Sequence, residues 1–544
     1  MTVPIHASRS RTTLVHLALL VLVAASFFVN SWGRDLWEAS EPRYAQVARE
    51  VYEDGHWLVP HLGGEVYPEK PPLYFWLVTG AYALFGVTPS AVRFVPALSA
   101  AGVVFLTYLL GRRLYTPRAG LFAGLALGTS LLFMHLARYG KIDCTLTLLT
   151  TAALYLIAVA YFEGRRALYL PAYVLMGLAV LVKGPVGFLV PVLTLVVFLL
   201  IIKDARSLRG AHLLPGLAVV LAIVAAWLVP AGLVAGSDYI NTILFKQSFG
   251  RVVASFAHQK PFYYHLTGFP PNFLPWIVFL PQAFVFAVRG KARRRLFPVV
   301  WFATVFVFFS LISGKRSLYL LGLFPAAALL VGLFFDDCLA GRIGRRVLTV
   351  PSILLAVLLV AAAVALLFLH RLVEIPDYSG VTPGLLIAPA VLLAAAGVVV
   401  LLAVLAKRHG AILPTVFVAM LALGLVVFVA VYPAMNEHKT ARFICEDLLR
   451  ARTDDAPVVL YGHGVRSGAY HFYTGLPVIE IIEEDALAER LDGEAKTYII
   501  IEEEKREQLR PETTAGWRLV AARQVGHRLM EVFVSETGQD EPGT

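Results

Sequence analysis

The sequence predicts an all-α polytopic membrane protein that carries a small soluble α/β domain at its C-terminal end. Three observations lead there. Of 544 residues, 58% are apolar and only 15% are charged, where a soluble chain averages about 25% charged. Mean hydropathy is +0.71, and charge-poor stretches of the roughly 20 residues needed to cross a bilayer recur along the chain. The charge then changes sign: residues 1–436 hold 34 Lys/Arg against 16 Asp/Glu, and residues 437–544 hold 13 against 21. The expected division is a membrane domain over 1–436 and an external domain over 437–544.

The apolar stretches give thirteen expected spans, near 14–31, 92–110, 118–136, 142–161, 168–182, 184–202, 212–234, 272–288, 296–313, 317–335, 347–369, 383–406 and 411–433. Arg9 and Arg11 ahead of the first stretch also fit a signal peptide. Ser31-Trp32-Gly33 is a poor cleavage site, so an uncleaved helix is expected. The piece at 73–86 is short and ends in Gly86, which suits a re-entrant or interfacial segment. With the N-terminus inside, every second loop is short and basic: Arg112, Arg113 and Arg118; Arg165 and Arg166; Lys203, Arg206 and Arg209; Arg289 to Arg295; Arg342, Arg345 and Arg346; Lys407 and Arg408. That is the cytoplasmic side by the orientation rule. The tail, with helices expected at 439–452 and 485–491 and strands at 457–461, 497–501, 517–524 and 529–534, then lies outside.

Nucleic acid is a poor partner for this charge pattern, because the basic residues are scattered among short interhelical loops. Cys144, Cys338 and Cys445 lie far apart and form neither a disulfide framework nor a zinc motif. Asp336-Asp337 on the cytoplasmic side suggests a capping pair.

Two external loops, 32–91 and 235–271, are long and rich in aromatics, Pro and His, which points to function over disorder. The first holds Trp37-Glu38-Ala39-Ser40-Glu41-Pro42-Arg43-Tyr44, where Ser40 can cap a helix running to Tyr52. It continues into Tyr67-Pro68-Glu69-Lys70-Pro71, whose prolines fix the backbone. Arg138-Tyr139-Gly140-Lys141-Ile142-Asp143 opens another span. Each carboxylate alone could simply favour a helix N-terminus. Glu41, Glu69 and Asp143 together on one face are more than anchoring needs. Cations converge there from several loops: Lys70, Lys183 before Gly184-Pro185, Lys246, Arg251 and Lys260 with His258 and His265, and Lys315-Arg316 before Tyr319. Such a set suits a phosphate or pyrophosphate, and lipid headgroups are the blander ligand.

The order of Trp37–Tyr44, Tyr-x-Glu-Lys-Pro at 67–71, Ala137–Asp143 and Lys315-Arg316-x-x-Tyr319 resembles bacterial integral-membrane glycosyltransferases of the lipid A aminoarabinose transferase type. These are relatives of protein O-mannosyltransferases with the GT-C fold. The resemblance implies transfer of a sugar from a polyprenyl phosphate to a glycolipid (lipid A or another) or protein acceptor at the outer face of a bacterial inner membrane. It implies Glu41 and Asp143 as catalytic carboxylates, and Lys70, Arg251, Tyr319 and Tyr67 at the carrier phosphate. Arg43, Tyr44, Arg138, Lys183, Lys315 and Arg316 would support them. A divalent metal would take Glu69, with His258 or His265. Two departures stand out: Ser40-Glu41 replaces the family's Asp-Glu, and Phe245–Arg251 lacks the His or Glu expected in that loop. Alternatives are an oligosaccharide ligase or polymerase with a pyrophosphate-linked donor, a transporter, and a scaffold. A transporter would favour repeated halves and broken midplane helices, and a scaffold has no use for the cation and carboxylate set.

Overall fold

The computed structural model describes residues 5–37, 40–245, 260–372, 380–462, 468–494 and 496–536. In chain order the first helices are α1 (Ile5–Ser26), α2 (Ser40–Glu53), α3 (Leu73–Phe85), α4 (Pro89–Leu114), α5 (Pro117–Gly128), α6 (Leu131–Leu136), α7 (Asp143–Phe162), α8 (Tyr169–Lys183), α9 (Val186–Ile201) and α10 (Leu213–Ala235). A hairpin, β1 (His61–Leu62) and β2 (Glu65–Val66), sits between α2 and α3. Helices Arg293–Leu311, Phe324–Leu339, Thr349–Leu372, Pro383–Leu405 and Ile412–Val426 complete the bundle. Among the described residues nine helices are long and apolar enough to span a membrane, ten if a bent pair counts as one.

Two expected spans are broken. The stretch 118–136 is α5 followed by α6, interrupted at Thr129-Ser130. There the Thr129 hydroxyl turns back onto the Leu125 carbonyl and accepts the Trp276 indole N–H at 3.1 Å. The stretch near 272–288 is the second limb of a pair, Tyr264–Asn272 and Trp276–Arg289, bent by 112°. Pro270, Pro271 and Pro275 crowd the bend, and a proline has no N–H to continue a helix. Helix α3 has 13 residues, about 20 Å, short of a hydrocarbon core of about 30 Å.

Contacts sort the loops to two ends of the bundle. At one end Arg113 pairs with Glu163, Arg293 with Asp204, and Arg118, Arg295 and Arg342 with Asp336 and Asp337. Asp336 and Asp337 are therefore no capping pair. They are two buried carboxylates in the last turn of a helix, each neutralised by arginines from neighbouring loops. Helices α4, α7 and α8 run from this basic end to the end that carries Arg93, Asp143 and Lys183.

The tail folds as a five-stranded sheet, β3 (Val458–Tyr461), β4 (Val478–Ile481), β5 (Lys496–Glu502), β6 (Trp517–Val525) and β7 (Arg528–Glu536), in the order β4-β3-β5-β7-β6. Strands β4, β3 and β5 are parallel; β7 and β6 are antiparallel. Alternation along the strands sends Val458, Leu460, Tyr498 and Ile500 to one face, against Ile444 and Leu448 of helix Arg442–Ala451. Val459, Ile499 and Ile501 pack on the other face against Leu487 and Leu491. The helix expected at 439–452 is Arg442–Ala451, preceded by a separate helix, Tyr432–Lys439. The sheet domain is seated on the first long loop: the Leu36 N–H donates to the Tyr473 hydroxyl at 2.6 Å, and the Asp35 N–H and Trp37 indole both donate to Asn436 Oδ1 at 2.8 Å.

Candidate active site

Helix α8 ends at Lys183 because Gly184, at φ 81°, leaves helical geometry and Pro185 cannot continue it. A lysine in the last turn also complements the carbonyl end of the helix. Helix α7 begins at Asp143, where a carboxylate favours the N–H end. Those two local preferences bring opposite charges together. Lys183 Nζ lies 2.5 Å from Asp143 Oδ1, and 4.7 Å from the centre of the Tyr319 ring.

Lys183 and Tyr319, but not Asp143 behind Lys183, line a cavity of ≈ 360 Å³. Its polar end is formed by Glu69, Lys70, Lys183 and Tyr319, with Gly314 beside them. Its long wall is aliphatic and aromatic, built from α8 (Val180), α9 (Val186, Phe188, Leu189), α10 (Leu217, Val220, Leu221, Val224) and Phe308 and Phe309. Lys70 is buried and donates to the Glu69 carbonyl at 2.9 Å. Glu69 Oε2 accepts the Tyr67 hydroxyl at 3.2 Å and the Arg43 guanidinium at 3.4 Å. Arg43 lies over the Tyr44 and Tyr67 rings. The prolines around Glu69-Lys70 thus present one carboxylate and one ammonium to a greasy slot. Such a lining holds an anionic head beside an apolar tail.

Glu41 is elsewhere. It is fully buried, and its two oxygens take five hydrogen bonds: from Arg93 Nε at 2.8 Å and Nη2 at 3.2 Å, Arg34 Nη2 at 3.4 Å, the Trp37 N–H at 3.0 Å and the Gly140 N–H at 2.9 Å. Burial alone would raise its pKa. The Arg93 and Arg34 guanidiniums and the donated N–H groups outweigh that and hold it at about 2. A Cβ on residue 140 would come within 2.9 Å of Glu41 Cγ, so only glycine lets this loop close on the carboxylate. The expectation that Glu41 is catalytic is therefore corrected: a saturated carboxylate with no exposed surface cannot meet a substrate.

Other expected site residues are also placed away from the cavity wall. Arg138 is buried and donates to the Ser26 and Phe27 carbonyls at the end of α1, with Phe428 under its guanidinium. Tyr44 is buried among Tyr74 and Phe75. Tyr67 and Arg43 act on Glu69 and do not line the cavity. Lys315 is buried, donating to the Lys260 carbonyl at 3.1 Å, and Arg316 is half-buried with no side-chain partner among the described residues. Arg251 and His258, like Lys246, lie outside the described residues. His265 is fully buried with neither ring nitrogen bonded. Neither it nor Glu69 belongs to a three-ligand group among the described residues. The residues around Glu69, a phenol and a guanidinium, do not fit a metal.

Comparison with known proteins bears on this geometry. The sequence profile of the dolichyl-phosphate-mannose-protein mannosyltransferases matches residues 69–229, which carry Lys70, Asp143 and Lys183. An uncharacterized protein of Aquifex aeolicus is 30% identical over 351 residues, 64% of this chain and 69% of that one. The undecaprenyl phosphate-alpha-4-amino-4-deoxy-L-arabinose arabinosyl transferase of Pectobacterium carotovorum is 32% identical over 61% of each chain. A counterpart in Pseudomonas fluorescens is 29% identical over 78% of this chain and 76% of that one. The crystal structure of ArnT from Cupriavidus metallidurans bound to undecaprenyl phosphate superposes with a TM-score of 0.80 at 23% identity, over 98% of this chain and 100% of that one. The chain belongs to this family of integral-membrane GT-C glycosyltransferases. The Archaeoglobus fulgidus oligosaccharyltransferase AglB shares the fold more distantly, at a TM-score of 0.52 and 13% identity.

The charged residues at this end of the bundle that sequence reasoning missed are Arg93 and Arg34, which hold Glu41. Arg93 sits in the second turn of α4 and is only 2% exposed. The available signal was an arginine inside an otherwise apolar span, which demands a buried partner.

Proposed function

We propose that this glycosyltransferase moves a sugar from a polyprenyl phosphate to a glycolipid or protein acceptor at the outer face of a bacterial inner membrane. The C-terminal sheet domain lies on that same side. One observation carries the reading: Lys70, Lys183 and Tyr319 meet at the polar end of a slot whose remaining wall is apolar. The phosphate sits among the three, and the first isoprene units run along α9 and α10. Relatives named as acting on an undecaprenyl phosphate-linked sugar support this donor.

As the bond from sugar to phosphate oxygen breaks, its electron pair stays on the phosphate. The two ammonium groups and the Tyr319 hydroxyl stabilise that charge. Asp143 holds Lys183 in place for this. A hydroxyl acceptor must lose a proton, and Glu69 is the carboxylate on the cavity wall. Its Oε2 is held by Tyr67 and Arg43, and its other oxygen receives the proton.

The test is mass spectrometry of glycolipids and envelope proteins from a deletion strain complemented with wild type, Lys183→Ala or Glu69→Gln. Loss of one sugar-sized mass in the deletion, restored by wild type alone, is expected. A full complement of products with Lys183→Ala would sink the site. For sidedness, a membrane-impermeant thiol reagent should label Glu65→Cys from outside and leave Arg165→Cys untouched, since the native cysteines are all buried. The reverse pattern would overturn the orientation.

A further inference from the structure

Away from the cavity, the last turn of α2 and the loop after it gather Glu50, Asp54 and His56. One ligand atom from each lies within 4.8 Å of the other two. Among the described residues this is the group of three or more metal-ligating side chains that the fold assembles. We propose that it is a divalent-cation site of the zinc class that ties α2 to the β1–β2 hairpin leading into Tyr67–Lys70.

The side chains are prepared as ligands. Glu50 Oε1 accepts the Gln46 amide at 2.9 Å and the Gly63 N–H at 2.7 Å, and Oε2 accepts the Gly64 N–H at 3.2 Å. Three of about four acceptor positions are used, so the carboxylate is fixed in direction with one lone pair left. A ligating carboxylate held by outer hydrogen bonds is the usual arrangement. The Nδ1 atom of His56 is shielded from solvent and has no hydrogen-bond partner. No hydrogen bond or ion pair joins His56 to either carboxylate. Glu50 and Asp54 are one helical turn apart, the Asp54 N–H donating to the Glu50 carbonyl at 3.0 Å, so the chain sets both carboxylates on one side. Ligands at about 2.0–2.2 Å from one ion stand roughly 3–4 Å apart, a spacing this group can adopt.

His61 lies alongside, its ring 3.9 Å from that of His56. Its Nδ1 is 2.8 Å from the Val59 carbonyl. A carbonyl can only accept, so the proton is on Nδ1 and Nε2 keeps its lone pair. Asp54 is exposed and gives an ion a way in. Two carboxylates with one or two imidazoles select a first-row transition metal or zinc over calcium, which takes oxygen ligands.

The site has a structural consequence. Gly63 and Gly64, both at positive φ, make the two-residue turn of the hairpin whose N–H groups hold Glu50. The His471 ring of the sheet domain sits against Gly63. An ion here would fix the hairpin, and through it the turn that follows with Glu69 and Lys70, at the seam with the sheet domain. This inference does not depend on the sugar-transfer reading.

Full-length protein in detergent, purified on a tag without histidines and stripped with chelator, is reloaded with zinc chloride. It is then passed over a sizing column for elemental analysis and melted with and without zinc. About one zinc per chain and a zinc-dependent rise in Tm are expected, because an ion that binds only the folded state raises Tm. His56→Gln with Asp54→Asn should lower zinc affinity at least tenfold and remove the rise, whereas Glu69→Gln should keep both. No retained zinc and no Tm response in wild type would overturn the site, a measurement that stands even where the double variant does not fold. Equal responses to zinc and calcium, or undiminished binding in the double variant, would also overturn it.

Discussion

Two buried ion-paired carboxylates stand at the same end of this bundle and serve opposite purposes. Glu41 is sealed: five donors fill it and no surface remains. Among the described residues Asp143 has a single salt-bridge partner, Lys183, and that lysine borders the cavity and faces the Tyr319 ring. Saturation makes the first pair a clamp joining the loop before α2 to α4 and to the 138–141 loop. Incompleteness makes the second pair able to give part of its charge to a ligand. Burial and ion pairing are alike in both. What separates them is whether the cation's remaining surface meets protein or an open slot.

The sharpest way to break this comparison is to remove each cation in turn. Lys183→Ala should cut transfer by about 10²–10³-fold, since it takes a positive charge from the departing phosphate, with the protein still recovered folded from membranes. Product yield per folded molecule, measured against a sizing-column profile, checks this. Near-normal transfer would make Asp143–Lys183 a second clamp.

Glu41→Gln should act on the other axis. Breaking a buried pair and stranding Arg93 and Arg34 costs about 3–5 kcal/mol, seen as a large fall in Tm and yield, while the molecules that fold keep transferring sugar. An unchanged Tm with lost transfer would return Glu41 to the catalytic list. Arg93→Met should resemble Glu41→Gln, and the double variant should cost much less than the two losses added, as members of one network do.

Tyr319→Phe sharpens the comparison at the cavity. It keeps the ring under Lys183 but deletes the hydroxyl, and a loss of about tenfold in kcat with unchanged stability is expected. A change in Tm alone would assign Tyr319 to packing.

The smallest expected effect is in acid. Glu41 is held at about 2 against an ordinary 4.5, so the stability it contributes is fully present above about 4.5 and is lost as pH falls toward 2. Wild-type Tm should decline through that window, and Glu41→Gln should decline less steeply there. Parallel curves would show that the clamp is not what titrates.

Much of the scaffold was readable from the chain. Apolar stretches of fixed length mark spans whatever their neighbours, and basic loops mark one end, because both follow from what hydrocarbon and membrane charge exclude. The strands at 457–461 and 497–501 were visible as short β-branched runs. The strand Val478–Ile481 and the helix Gly468–Thr474 were not, since seven-residue and four-residue pieces carry too little periodicity. Lys70 and Lys183 were found as cations with local constraints, and both line the cavity. Glu41 was misread because sequence shows a carboxylate near a surface loop but not that Arg93, 52 residues on, folds over it.

The sequence by itself determined a many-pass bundle with an acidic sheet domain after it, for those are properties of segments in their solvents. Only the tertiary structure decided which charges are spent on one another and which are left for a ligand. Pairing between Arg93 and Glu41, or between Lys183 and Asp143, depends on distances across the fold, and local preference at a helix end is the same for a clamp as for a site.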